Sequence, residues 1–347
     1  MRADRWLNLV GQPAFLRAVR SNEHGWRPAA ALGLMIPGAF ALGLVGYLVS
    51  GLINSWLVQV VVLRQPPTWP RDLISAARSG TADCQGCLLG GMTTTVMVAV
   101  ISLSCMIAVL ASAVLIYRRP AMSWITAAPR FRWRLFWAGL ALFGLALGVV
   151  ASIPEALHGW PDRPVFLKTD ETVRMRMAYV LVMALSLPVA AAFEEVLCRG
   201  WLLQVTAAFT RSLPAILLGN SLVFALLHVD PDPGRNLSRA VLGMALSWGV
   251  LRTGGLELGI GIHAANNLII LVLAQTLQQS EPSAVSNPLA VAANVAVSLG
   301  AVVVIELVAR WAPLRRWTGL DLEGAVLDGT QPPQPADHRA NSTLAAP

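Results

Sequence analysis

The sequence predicts an all-α, polytopic membrane protein with about eight transmembrane helices around a buried polar site. Three observations lead there. Of its 347 residues 55% are hydrophobic and 13% charged, against about one-quarter charged in soluble globular domains. Apolar runs of spanning length recur from before residue 30 to beyond residue 300. Arginines gather in the segments between alternate runs, the pattern that marks the cytoplasmic side of a bilayer.

The first element, residues 1–28, interleaves Arg with Trp, Leu and Phe and lacks the apolar core and small-residue cleavage site of a removable signal peptide. It reads as a cytoplasmic amphipathic segment lying at the membrane interface. A membrane domain occupies residues 29–316. Its candidate spans are 29–52 (with an extension toward 63), 89–116, 135–153, 177–198, 213–228, 237–251, 256–277 and 288–309. The fifth and sixth are short, which suits segments that end inside protein or at a water-filled cavity. Gly144 and Gly148 form a G-x-x-x-G in the third span, which permits close helix contact without saying with which partner. Cys84 and Cys87 form an isolated C-x-x-C, read equally well as a local disulfide or as two thiols. The tail, residues 317–347, is polar and proline-rich and is expected to be disordered and cytoplasmic.

The formal charge of +7 does not point to nucleic acid, because the basic residues form no single stripe and no recognition motif accompanies them. With eight spans and a cytoplasmic N-terminus, Arg118, Arg119, Arg130, Arg132 and Arg134, together with Arg252, Arg310, Arg315 and Arg316, all fall inside. Both termini are therefore expected in the cytoplasm. Lys168 is the single lysine, a usage typical of a GC-rich bacterial genome, so the expected location is a bacterial inner membrane.

Ionisable groups within a span cost about 2.5–3.5 kcal/mol each at the helix centre, so those that persist are paired or functional. Three patterns qualify: Glu194-Glu195-x-x-x-Arg199, Phe224-x-x-x-His228 and His263-x-x-x-Asn267. On a helix Glu195 and Arg199 share a face and can pair, while Glu194 is turned about 100° away and left as a candidate general base. His263 and Asn267 also share a face, where two donors can hold a developing oxyanion. Phe224 is placed to pack beside His228 and fix its rotamer. His24, His158 and His338 lie in polar segments and look incidental. Read singly, each pattern has a plain structural explanation: an interfacial anchor, a satisfied core histidine, a common spacing. H-E-x-x-H, G-x-S-x-G and Walker motifs are absent from the sequence.

Jointly and in this order, "EEVLCR", "FALLH" and "HAANN" resemble the motifs of the CPBP family, the type II CAAX prenyl endopeptidases with their bacterial relatives of the bacteriocin self-immunity type. The resemblance covers about residues 177–275. It implies a membrane-embedded endopeptidase in which Glu194 activates water with help from His228, His263 and Asn267 stabilise the oxyanion, and Glu195, Arg199 and Phe224 support the site. It implies a membrane-anchored or hydrophobic peptide as substrate and no resident cofactor. A metal-dependent version of the chemistry would instead place zinc on Glu194, His228 and His263. Two other classes stay open from sequence, a non-catalytic scaffold or immunity factor and an ion- or proton-coupled transporter. The peptidase reading requires Glu194 within about 7 Å, two residue lengths, of an imidazole. Straight helices with these boundaries would leave His228 at the wrong level, so the site demands tilted helices or a fifth span that begins outside the bilayer.

Overall fold

The computed structural model of the protein describes residues 15–16, 25–63, 88–158, 172–210, 212–274 and 288–320. Cys84, Cys87, His24 and His338, nearly all of the N-terminal segment and nearly all of the tail lie outside them. The described residues are helical, with one isolated bridge between Thr126 and Gly255.

Eight main helices answer the eight apolar runs: α1 (Arg27–Leu57), α2 (Leu88–Tyr117), α3 (Trp133–His158), α4 (Val173–Glu195), α6 (Leu213–Leu226), α7 (Pro233–Thr253), α8 (Glu257–Ile269) and α9 (Pro288–Arg310). Two short ones, α5 (Leu203–Phe209) and α10 (Ala312–Thr318), continue or cap them. Among the described residues five helical runs are long and apolar enough to cross a bilayer: Arg27–Val60, Leu88–Tyr117, Trp133–Ser152, Val173–Phe209 and Pro288–Arg310. The protein is thus a multi-pass membrane protein. By that measure the spans number five where eight were expected: the apolar helices Leu213–Leu226 and Glu257–Val272 are too short, about 20–25 Å at 1.5 Å per residue against a hydrocarbon core of about 30 Å, and α7, though 21 residues long, carries Arg235, Arg239 and Arg252.

Side-chain contacts fix the directions. Gly38, Gly43 and Gly46 of α1 face Ala108, Cys105 and Ser104 of α2, so these two helices run antiparallel. Gly139, Gly144 and Gly148 of α3 meet Leu258 and Ile262, Ala265, and Ile269 of α8 in the same order, so α3 and α8 run parallel. The G-x-x-x-G of the third span therefore has α8 as its partner. At the closest crossing a Cβ on Gly261 would overlap the Phe136 carbonyl, and one on Gly139 would overlap that of Leu258, so only glycine lets the backbones meet.

The fourth span differs most from expectation. It does not stop at 198 but runs unbroken from Val173 to Phe209, passing through a π-helical turn at Val196–Leu202. Ser212 then caps α6 by accepting from the Ala215 amide, with Pro214 in the first turn, and α6 returns alongside. Glu194 lies fifteen residues before Phe209, and His228 fifteen residues after Leu213. Each is about 22 Å from the turn, so the hairpin sets them level. The misfit expected from straight helices disappears once the fourth span is extended to its full length.

Candidate active site

Four helices supply the site. On α4 and the π turn, Arg199 donates to Glu195 at 2.9 Å, both side chains being fully buried. This is the pair expected from their spacing. Arg199 also donates to the Gly243 carbonyl at 3.2 Å and lies over the Phe224 ring, 4.1 Å from its centroid. Gly243 permits that approach, since a Cβ there would crowd both Phe224 and the guanidinium. π turns are rare and cluster at functional sites. This one is held from outside: Asn220 of α6 donates to the Cys198 carbonyl at 2.6 Å, and Ser247 of α7 donates to Asn220 and to Gly243.

His263 is placed by Glu195. Its Nδ1 lies 2.9 Å from Glu195 Oε1, and because the other nitrogen faces Glu194, the carboxylate takes the Nδ1 proton. His228 ends the α6 segment with Nδ1 2.9 Å from the Phe224 carbonyl. A carbonyl only accepts, so Nδ1 is again the protonated nitrogen and Nε2 is the free one. Both Nε2 atoms lie 3.7 Å from the same oxygen, Oε2 of Glu194. That distance is inside the required 7 Å and beyond a direct hydrogen bond. Glu194 Oε2 is shielded from solvent and has no hydrogen-bond partner. Two imidazole edges thus converge on one unsatisfied carboxylate oxygen, with Phe224 meeting both rings edge-on at 5.0 and 5.9 Å. Phe224 therefore orients three groups rather than the single rotamer foreseen from sequence.

Asn267 is one turn beyond His263 on α8. Its Oδ1 accepts from Asn266 Nδ2 at 3.3 Å, which leaves its own amide nitrogen as a donor. The site is graded in exposure, with Glu195 and Arg199 dry, His263 4% exposed, and Glu194 and His228 each 31% exposed.

Several supporting residues carry no signal in the sequence. Glu257, fully buried at the start of α8, makes a bidentate pair with Arg132, which also donates to the Thr253 carbonyl. Together with the Thr126–Gly255 bridge, this fixes the start of α8, six residues before His263. Gly259 faces Glu195 Oε2 and leaves it room. At the other edge of the site Asp230 accepts from Arg235 and Arg239. Its carboxyl is held well below the ordinary range, first by the hydrogen bond from Arg235 and then by the Asp232 amide.

Glu194, His228 and His263 are the residues a metal would need. Among the described residues no group of three or more His, Cys, Asp or Glu side chains is arranged to hold one. Each imidazole Nδ1 is committed to an acceptor, which leaves Nε2 as the nitrogen that each ring turns toward Glu194.

Residues 176–269 match the family model described as Rce1-like, the type II CAAX prenyl endopeptidases. The uncharacterized protein YyaK of Bacillus subtilis (strain 168) is 25% identical over 264 residues, which is 74% of this chain and 80% of that one. No solved structure matches. The matched segment holds Glu194, Glu195, Arg199, Phe224, His228, His263 and Asn267, so the part of the chain that carries the site is the part similar to the Rce1-like type II CAAX prenyl endopeptidases.

Proposed function

We propose that the protein is an intramembrane endopeptidase that hydrolyses a peptide bond in a membrane-anchored or hydrophobic substrate, using water activated by Glu194 with His228. The observation that carries this reading is the convergence of both Nε2 atoms on Glu194 Oε2, 3.7 Å from each. Glu194 is the only member of the group without a strong partner, so it is the one free to take a proton. His228 presents an unprotonated Nε2 and can receive that proton or pass it to the leaving amine. His263 and Asn267 offer donors on one face of α8 for the oxyanion of the tetrahedral intermediate. His263 can donate from Nε2 only as an imidazolium, since its Nδ1 proton is given to Glu195.

For the location proposed, a bacterial inner membrane with both termini cytoplasmic, the helix directions support the placement of the termini. The start of α1, the end of α2, the starts of α3 and α8 and the ends of α7 and α9 all fall at one side, and Arg27, Arg118, Arg119, Arg130, Arg132, Arg134, Arg252 and Arg310 lie there.

The test compares the membrane proteomes of cells carrying the parent protein, Glu194→Ala and His263→Ala. A new peptide terminus present only with the parent is the expected result. Identical termini in all three strains, with each variant expressed and folded, would remove the peptidase reading and leave the scaffold.

A further inference from the structure

The residue after His228 carries unusual backbone geometry. Val229 has φ of +47°, a conformation that β-branched side chains rarely adopt and that persists only where its surroundings impose it. It is not packing that imposes it, because Val229 is 88% exposed. The next residues of the chain form a polar knot. Arg235 holds both oxygens of Asp230 at 2.8 Å, and Arg239 adds a third contact at 2.7 Å. The Asp232 amide donates to Asp230 Oδ1 at 3.0 Å, and Asn236 donates to the Asp230 carbonyl at 2.7 Å. Asp232 in turn caps α7 through the Gly234 and Arg235 amides and contacts Arg235 at 3.4 Å. Every donor except the Asp232 amide comes from the first two turns of α7, so the knot ties the chain directly after His228 to the rigid start of the next helix.

The two histidines are therefore held by different means. His263 is gripped at its ring by Glu195. His228 is held at its ring from within its own helix, by the Phe224 carbonyl and edge-on by the Phe224 ring, and the direction in which the chain leaves it is set by Asp230. We infer that Asp230 is a positioning residue, which through Arg235 and Arg239 fixes the left-handed Val229 and so keeps Nε2 of His228 beside Glu194. This rests on the reading that Glu194 and His228 work as a pair.

The chain has five histidines, so the full-length protein labelled with ¹⁵N-histidine in detergent gives a spectrum in which each ring can be followed. In the parent, Glu194→Gln is expected to shift the Nε2 resonances of both His228 and His263. In an Asp230→Ala background the same change should still shift His263 but no longer His228. The double variant Arg235→Ala/Arg239→Ala, which leaves the loop sequence intact, should reproduce that selective loss. Retention of the His228 response in both backgrounds overturns the proposal. Loss of both responses together also overturns it, since that is general loosening and not positioning. None of these signals depends on cleavage, so a protein that cuts nothing would sink the peptidase reading without touching this result.

Discussion

Two charge networks flank Glu194, and they are built on opposite plans. The inner one, Glu195 with Arg199 and His263, is dry, joins the π turn to α8, and leaves Glu195 Oε2 and Arg199 Nε without partners. The outer one, Asp230 with Arg235 and Arg239, sits at the rim with both arginines about one-third exposed and the carboxylate saturated by donors. Burying charge is expensive, and a buried pair often stabilises no more than apolar residues of the same shape would. The inner network is thus poorly explained as a stabilising device. It makes sense as a means of orienting His263 and keeping charge beside it. The outer network costs little to maintain and acts on backbone direction, not on a ring.

The sharpest way to break this contrast is Arg199→Met. It leaves Glu195 as a buried carboxylate without its cation, for which a loss of about 3–5 kcal/mol is expected. Thermal unfolding in detergent reads it. If the contrast holds, the double variant Glu195→Gln/Arg199→Met recovers most of that loss while the His263 environment stays altered. A drop no larger than that of a surface arginine would mean the inner network is wetter than the structure shows. Asn220→Leu comes next. It removes a donor from the Cys198 carbonyl and an acceptor from Ser247, at an expected cost of about 1–3 kcal/mol, measured the same way. Substrate cleavage should fall as well if the π turn sets the register of Arg199.

How much of the molecule is legible in its sequence depends on whether the signal is local. Glu195 and Arg199 share a face by spacing alone, and charges inside apolar runs stand out because membranes tolerate few of them. The same logic isolates His228, His263 and Asn267. The π turn is not legible, since nothing in "VLCRGWL" marks an i to i+5 register; it depends on Asn220, twenty-two residues along the chain from Cys198. Without it the fourth span ends too soon and His228 falls at the wrong level. Arg132–Glu257 escapes for a related reason. The partners are 125 residues apart, and a glutamate in the first turn of a helix has a ready explanation in the helix dipole. Asp232 is recognisable as an N-cap before proline, but Asp230 reads as one more turn residue until Arg235 and Arg239 are seen to close on it.

The smallest expected effects lie in the outer network. Arg239→Ala removes one of four hydrogen bonds to a carboxylate at the rim and should cost no more than about 1 kcal/mol, with the difference from the parent shrinking as salt is raised. Its pH dependence separates it from the site. Asp230 has a folded-state acidity shifted below its unfolded value of about 3.9, so its contribution is complete above that value and is lost only as pH falls through the lower, folded one. Unfolding temperatures of the parent and of Asp230→Asn should therefore run parallel from about pH 5 to pH 8 and converge only in stronger acid. Convergence already between pH 5 and pH 8 would mean that Asp230 is coupled to the histidine titration next to it, and the two networks would then be one.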